Sequence, residues 1–171
     1  MLYHFSEEPG IERFVPRPIE RYPQMPQVVF AIDEAHAAHY LFPRDCPRVI
    51  YWKADWTTPE DEAELFAHTA TDKIIAVESG WLERIRRTKL YRYAFPPDTF
   101  RLWPEAITAG YHISEREVIP QRVELMDDLI GRLVAAGIEL RITPNLHPLR
   151  NRVIASTADF SVIRFRNALP A

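Results

Sequence analysis

The sequence is poor in the residues on which several kinds of functional site depend. It has one cysteine, Cys46, which excludes an internal disulfide and a zinc site built from several thiolates. Its five glycines stand singly, which disfavours the glycine-rich loops of Walker-type nucleotide hydrolases and Rossmann domains. No apolar run approaches the ~18 residues of a membrane span. We therefore expect no membrane partner, and a single reduced cysteine fits a cytoplasmic location.

The charge balance and the length restrict the class further. The 171 residues include 21 basic and 24 acidic side chains, with a formal net charge of −3. No general field attracts nucleic acid, so a nucleic-acid partner would need a local basic patch. The opening segment MLYHFSEEPG lacks the basic and apolar regions of a secretion signal, in line with a cytoplasmic protein. No linker or repeat is evident, and we predict a single domain over residues 1–171.

Hydrophobic patterning predicts a mixed fold. Short β-branched and aromatic runs predict seven strands, at residues 2–5, 28–32, 48–52, 73–77, 89–95, 109–113 and 138–142. Apolar spacing and capping residues predict five helices, at residues 34–40, 60–68, 79–87, 123–136 and 146–156. Their irregular order favours an α+β fold over a regular βαβ winding.

Two groups of reactive side chains have ordinary interpretations. Cys46 lies between Arg44 and Arg48, which would favour a thiolate, but its flanking prolines make a tight turn and predict a small buried thiol. His36 and His39 have a spacing that can place two imidazoles on one metal ion, yet no third ligand is evident. We predict no metal site.

Three segments carry a resemblance to known families. They are LYHFSEEPGIERFVPRP, VVFAIDEAHAAHYLFPRDCPRVIYW and GYHISEREVIP. Together they resemble an uncharacterised bacterial family, one of the domains of unknown function. More distantly, they resemble the three motifs of the His-Tyr-Glu class of ADP-ribosyltransferases, in the same order. This second resemblance implies a central, mostly antiparallel, split sheet with flanking helices.

The motif positions identify three candidate catalytic residues. His4 matches the histidine of the first strand, and Tyr40 matches the tyrosine that ends the helix after the second strand. Glu117 matches the glutamate that opens a later strand, followed by apolar residues. The resemblance implies an NAD-dependent transferase that breaks the nicotinamide–ribose bond, with NAD as substrate and an unidentified acceptor.

The chemistry of NAD explains why these residue types would be needed. A carboxylate near the ribose, Glu117, would stabilise the positive charge that develops as nicotinamide leaves. The ring of Tyr40 would stack on the cationic pyridinium, and His4 would hydrogen-bond a ribose hydroxyl. Cofactor contacts are also implied for the residues around these positions. They are Phe5, which replaces a glycine found in many members, Ser6, and the arginines Arg17, Arg44 and Arg48 as pyrophosphate contacts.

Alternatives remain open at the level of the site and of the function. Glu115 and Glu117 lie on the same side of an extended strand, so either could enter a cleft. The scaffold could instead bind a nucleotide or an RNA end, or serve as a non-catalytic interaction module. His4, Tyr40 and Glu117 also have purely structural explanations: a polar strand position, a packed ring and a surface ion-pair partner.

Overall fold

The computed structural model describes residues 1–20 and 22–171. These residues form two compact units between which the chain passes three times. The first unit comprises Met1–Tyr40 and Lys89–Asp127, and the second comprises Leu41–Thr88 and Asp128–Ala171. The single domain over residues 1–171 stays a prediction, because compactness alone does not tell whether either unit folds without the other.

Ten strands and four α-helices occur among the described residues. The strands are β1 (Leu2–Ser6), β2 (Val29–Ile32), β3 (Arg48–Trp52), β4 (Lys73–Glu78), β5 (Leu90–Phe95), β6 (Arg101–Leu102), β7 (Tyr111–Ser114), β8 (Arg122–Met126), β9 (Glu139–Thr143) and β10 (Asp159–Ile163). The helices are α1 (Pro59–Leu65), α2 (Leu82–Arg87), α3 (Leu129–Ala135) and α4 (His147–Ile154). Short 3-10 helices lie at Ala37–Tyr40, Ser79–Trp81, Pro104–Ala109 and Phe165–Asn167.

The first unit contains a six-stranded antiparallel sheet. Its strand order is β6-β7-β2-β1-β5-β8, so β1 lies inside the sheet with β2 and β5 as neighbours. Side chains of β1 alternate between the two faces. Leu2 and His4 point to one face, which we call the histidine face, and Tyr3 and Phe5 point to the other, which we call the tyrosine face.

The histidine face carries an apolar cluster that is covered by two segments, one containing Phe14 and the other containing Val118. Leu2, Tyr93 and Phe95 of the sheet pack there with Phe14 and Val118. Phe14 and Val118 also exchange two backbone hydrogen bonds of 2.8 and 2.9 Å, which join the two covering segments to each other. Because apolar side chains from both segments reach the sheet, this face is closed by the chain itself.

The tyrosine face carries a second cluster. Tyr3, Ile32 and Ala94 are buried there, and Phe5 and Tyr40 pack against them while remaining half-buried. The cluster is therefore aromatic at its solvent edge.

The second unit contains a four-stranded sheet with the order β10-β3-β4-β9. β4 and β9 pair in parallel, and the other two pairs are antiparallel. Its core includes Val49, Tyr51 and Ile74 from the sheet and Leu146 and Val153 from the region of α4. α1 begins at Pro59 behind Thr58, whose hydroxyl accepts a hydrogen bond from the Asp61 amide at 3.3 Å.

The seven predicted strands are all present, with boundaries that differ by at most two residues. The mixed α+β class, with a large antiparallel sheet and a few helices, is likewise confirmed. β6, β8 and β10 were not predicted.

The predicted helix over residues 123–136 is wrong in its first part. Residues 122–126 form β8, which pairs with β5, and the helix α3 begins only at Leu129. Asp128 has a φ of +46° and accepts a hydrogen bond from the Gly131 amide, so it caps the helix. Val123 and Met126 have the spacing of a helix, whereas Val123 and Leu125 alternate as in a strand, and pairing with β5 decides between the two.

The hydroxyl of Tyr93 provides a test of how the segment that leads to Phe14 is held on the sheet. It accepts a hydrogen bond from the Ile11 amide at 3.1 Å and donates one to the Glu8 carbonyl at 2.7 Å. We expect Tyr93→Phe to lower the free energy of unfolding by about 1–3 kcal/mol, because two backbone groups lose their partners. Urea denaturation measures this change. The matched variant Tyr91→Phe, on the same strand and face, should change the free energy of unfolding by less than about 0.5 kcal/mol. Equal effects of the two variants would contradict the stabilising role of the Tyr93 hydroxyl.

Candidate functional site

His4 lies on the histidine face within an aromatic environment. Its ring centroid is 4.9 Å from that of Phe14 and 6.4 Å from that of Phe95. Its Nδ1 lies 3.1 Å from the carbonyl oxygen of Phe30 on the neighbouring strand, so the ring donates a hydrogen bond there. The imidazole is half-buried and is held in the covered side of the sheet.

Tyr40 lies on the tyrosine face. Its ring is nearly parallel to that of Phe5, with an interplanar angle of 17° and centroids 6.3 Å apart. Its hydroxyl shares a hydrogen bond with the hydroxyl of Tyr111, whose ring is steeply inclined to it at 78°. Tyr40 therefore belongs to a half-buried aromatic cluster of Phe5, Tyr40 and Tyr111.

The expected meeting of His4 and Tyr40 around one ligand is not found in the first unit. His4 and Phe5 are adjacent in β1 and so project to opposite faces of the sheet, and Tyr40 packs on the Phe5 side. A nicotinamide ring against Tyr40 would be separated from His4 by the sheet itself. The roles of His4 and Tyr40 stay predictions, with the two side chains on different faces of the sheet.

Glu117 and Glu115 both lie at the surface in ion pairs. Glu117 is 3.2 Å from Arg13, and its side chain is 42% exposed. Glu115 is 3.1 Å from Arg101, and its side chain is 53% exposed. The strand expected to open at Glu117 does not form, since the backbone makes only an isolated bridge, at Val118.

The other predicted ligand contacts in the first unit are dispersed. The Ser6 hydroxyl accepts a hydrogen bond from the Glu8 amide at 3.0 Å, which stabilises the turn after β1. Arg17 is exposed, and its backbone bridges Val28 through two hydrogen bonds of 3.0 Å. Phe5 contacts Tyr40, so the residue that replaces the glycine of many ADP-ribosyltransferases occupies space beside the predicted stacking ring.

Arg44, Arg48 and Cys46 belong to the second unit. Arg44 is exposed, whereas Arg48 is only 2% exposed and donates a hydrogen bond to the Cys46 carbonyl at 2.8 Å. The guanidinium of Arg48 also lies 5.2 Å from the centroid of the Phe42 ring. Arg48 thus holds the turn before β3, which is a structural role and not a pyrophosphate contact.

A cluster of charged side chains around Arg92 lies on the tyrosine face and was not predicted. Arg92 lies 2.6 Å from Glu124 and 3.7 Å from Glu34, and its guanidinium stands 4.8 Å from the centroid of the Tyr3 ring. A hydrogen bond to Glu34, followed by burial, raises the pKa of Tyr3 above its ordinary value. These residues come from four separate segments, so no local motif predicts them.

A second unpredicted pairing joins Asp33 to His36. Asp33 Oδ1 lies 2.6 Å from His36 Nδ1 and also accepts a hydrogen bond from the His36 amide at 2.9 Å. The only signal in the sequence is the Asp-x-x-His spacing at the start of a predicted helix, which is typical of a helix cap.

Neither a metal-binding cluster nor a membrane-spanning helix is present in the described part of the chain. Among residues 1–20 and 22–171, no group of three His, Cys, Asp or Glu side chains is arranged to hold a metal ion. In the same part of the chain, no helix has the length and hydropathy needed to cross a bilayer.

Comparison with protein families gives one match. The model of a family of unknown function, DUF6886, matches residues 3–168. The chain belongs to DUF6886. Comparisons with curated proteins and with solved structures gave no match. The predicted membership of an uncharacterised family is confirmed, whereas no relative supports the likeness to ADP-ribosyltransferases.

The DUF6886 match covers both compact units, so both belong to the region by which the family is defined. It includes His4, Tyr40 and Glu117 without assigning a role to any of them. Their roles must therefore be argued from the contacts of this chain.

Cys46 offers a direct test of the buried-thiol interpretation. The residue is fully buried, and burial raises the pKa of its thiol to about 12 despite the nearby Arg48. At pH 8 roughly one thiol in 10,000 is then ionised, so we expect no reaction of the native protein with Ellman's reagent within minutes. One equivalent should react after denaturation in guanidinium chloride. Rapid labelling of the native protein would contradict this interpretation.

Proposed function

We propose that the first unit binds a nucleotide through a flat, positively charged ring on the tyrosine face, with NAD as the representative ligand. The proposal concerns binding and not cleavage of NAD. The observation that carries it is the half-buried aromatic cluster of Phe5, Tyr40 and Tyr111. NAD is suggested by the resemblance of the three sequence segments to ADP-ribosyltransferases.

The cluster has the properties that attract a flat cation. Aromatic faces carry a negative potential, and stacking a cationic ring on one is worth about 0.5–2 kcal/mol, depending on desolvation. Glu34 lies at the same face with a side chain that is 68% exposed, so a carboxylate is accessible to an incoming cation. Arg92 is already beside Glu34 and Glu124, which makes it a poor partner for a phosphate group. The ring, not the pyrophosphate, would therefore anchor the ligand.

The geometry favours binding of NAD over its cleavage. A carboxylate must lie near the ribose to stabilise the charge that develops as nicotinamide leaves. Glu117 and Glu115 are engaged with arginines at the surface, and His4 projects to the opposite face of the sheet. A ring bound against Tyr40 would consequently lack the predicted catalytic partners.

Thermal unfolding tests the binding proposal. At ten times its dissociation constant a ligand that binds only the folded state contributes about 1.4 kcal/mol of stability. For a chain of this length we expect NAD to raise the Tm by about 3–6 °C. NADH, whose nicotinamide ring is neutral, should raise it by clearly less, because the cation–π attraction is absent.

Two variants separate this proposal from its alternatives. Tyr40→Leu should abolish the difference between NAD and NADH, with circular dichroism as the check on folding, and Glu117→Gln should retain it. The absence of any shift at millimolar NAD would overturn the proposal and favour an interaction module. Nicotinamide release that depends on Glu117 would overturn it in favour of the transferase.

A further inference from the structure

The strand β8 forms one edge of the six-stranded sheet. It pairs with β5 on one side, and no described strand lies on its other side. The opposite edge of the sheet, β6, is only two residues long. An edge strand of five residues presents a row of backbone donors and acceptors with which another strand can pair. β8 is therefore the edge of the first unit at which a further strand can be added.

Two apolar side chains of this edge are exposed. Val123 is 46% exposed and Leu125 is 44% exposed. They lie directly opposite Tyr93 and Tyr91 of β5, so they extend the histidine face beyond its apolar cluster. In the second unit, by contrast, all five residues of the edge strand β10 are half-buried, and Ile142 is the single exposed residue of the edge strand β9. Pairing at β8 would cover apolar side chains that the fold otherwise leaves in water.

The other face of β8 carries two opposite charges. Arg122 and Glu124 project to the tyrosine face, where Glu124 lies 2.6 Å from Arg92 of β5. Arg122 lies opposite Ala94, is exposed, and makes no ion pair with a described residue. A strand that pairs with β8 would fit best with an acidic side chain opposite Arg122 and a basic one opposite Glu124.

A second copy of β8 meets this requirement. Two identical antiparallel edges are related by a two-fold axis normal to the sheet, so like faces join and one residue lies opposite itself. With Val123 at that position, Arg122 of each copy lies opposite Glu124 of the other. With Glu124 there instead, two carboxylates face each other, which is destabilising. The order of charges along β8 thus selects the register centred on Val123.

We propose that the protein forms a homodimer by antiparallel pairing of β8 with β8 of a second copy, in the register centred on Val123. The two six-stranded sheets join into one continuous sheet. Val123 packs against its counterpart on the histidine face, and two Arg122–Glu124 pairs form on the tyrosine face. The association does not depend on the proposed ring ligand.

Protection of the edge is the competing explanation. Charged side chains on an edge strand discourage pairing with other strands. The two explanations differ in the effect of reversing one charge. The reversal should weaken a dimer that depends on the charge order, whereas a chain that is monomeric because its edge is protected has no dimer to lose.

Sedimentation equilibrium of the full chain tests the dimer. We expect the wild-type protein to change from monomer to dimer as its concentration rises from about 1 μM to about 1 mM. Arg122→Glu should raise the dissociation constant by about tenfold or more, because the substituted side chain faces Glu124 of the other copy. Arg116→Glu, the same charge change at an exposed position outside β8, should leave the dissociation constant unchanged.

A mixture of two variants tests the charge pairing directly. Glu124→Arg should also weaken self-association, since two basic side chains then face each other. An equimolar mixture of Arg122→Glu and Glu124→Arg should dimerise again, because every acidic side chain at the new strand pair then faces a basic one. Circular dichroism checks that each variant is folded.

Disulfide crosslinking tests the register without changing a charge. In Val123→Cys the two substituted side chains lie opposite each other, and paired strands bring Cα atoms within the roughly 4.4–6.8 Å that a disulfide requires. In Leu125→Cys each substituted side chain lies opposite Gln121 of the other copy, so its counterpart is roughly 13 Å away along the strand. We expect mild oxidation to give a covalent dimer of Val123→Cys, and to give that of Leu125→Cys at least about tenfold more slowly. The native Cys46 is fully buried and does not compete.

Each outcome decides for or against the dimer. A monomer at every concentration, equal association of wild type and Arg122→Glu, or a variant mixture that stays monomeric would overturn the proposal. Equal crosslinking rates of Val123→Cys and Leu125→Cys would overturn the register centred on Val123. These measurements are made without NAD, whose effect on the Tm tests the ring ligand alone.

Discussion

The alternation of side chains along β1 decides what the first unit can do. Tyr3, His4 and Phe5 are consecutive residues of an inner strand, so the middle one projects to one face of the sheet and its neighbours to the other. Each face then collects its own aromatic cluster, one around Phe95 and one around Tyr40. Because a sheet separates them, groups on the two faces cannot cooperate at a single reacting atom, and any site in this unit belongs to one face.

Ion pairing explains why the expected catalytic carboxylates are at the surface. Glutamates of the first unit lie beside arginines from other segments: Glu115 beside Arg101, Glu117 beside Arg13, and Glu34 and Glu124 beside Arg92. Exposed pairs of this kind contribute little to stability, typically less than about 1 kcal/mol each. They nevertheless engage both of the glutamates expected to be catalytic, Glu115 and Glu117, whereas Glu124 lies with Arg92 on the tyrosine face. A glutamate followed by apolar residues is therefore compatible with a surface ion pair as well as with a catalytic strand.

Much of the fold could be predicted because its strands are rich in β-branched and aromatic residues. β3 and β4 are such runs, and each has a neighbouring strand on both sides in the sheet. β8 could not be told from a helix, since Val123 and Met126 have a helical spacing while Val123 and Leu125 alternate, and only pairing with β5 separates the two. β10 escapes detection because Asp159 and Ser161 interrupt its apolar residues. Local patterns thus identified strands with a clear apolar run or a regular alternation, such as β4 and β9, and missed β8 and β10, whose patterns are ambiguous.

The candidate site was less predictable than the fold, because its geometry depends on contacts between distant segments. Tyr40 was predicted as a site residue from the sequence. No local pattern near Tyr40 predicts that Phe5 and Tyr111 are its neighbours. The pairing of Asp33 with His36 follows from local spacing, whereas its seat against the Gly110 backbone does not. A spacing of three residues can specify that two side chains meet, but it does not specify the distant backbone against which they pack. The backbone against which the pair packs is brought beside it by the pairing of β2 with β7, which places Gly110 next to the end of β2.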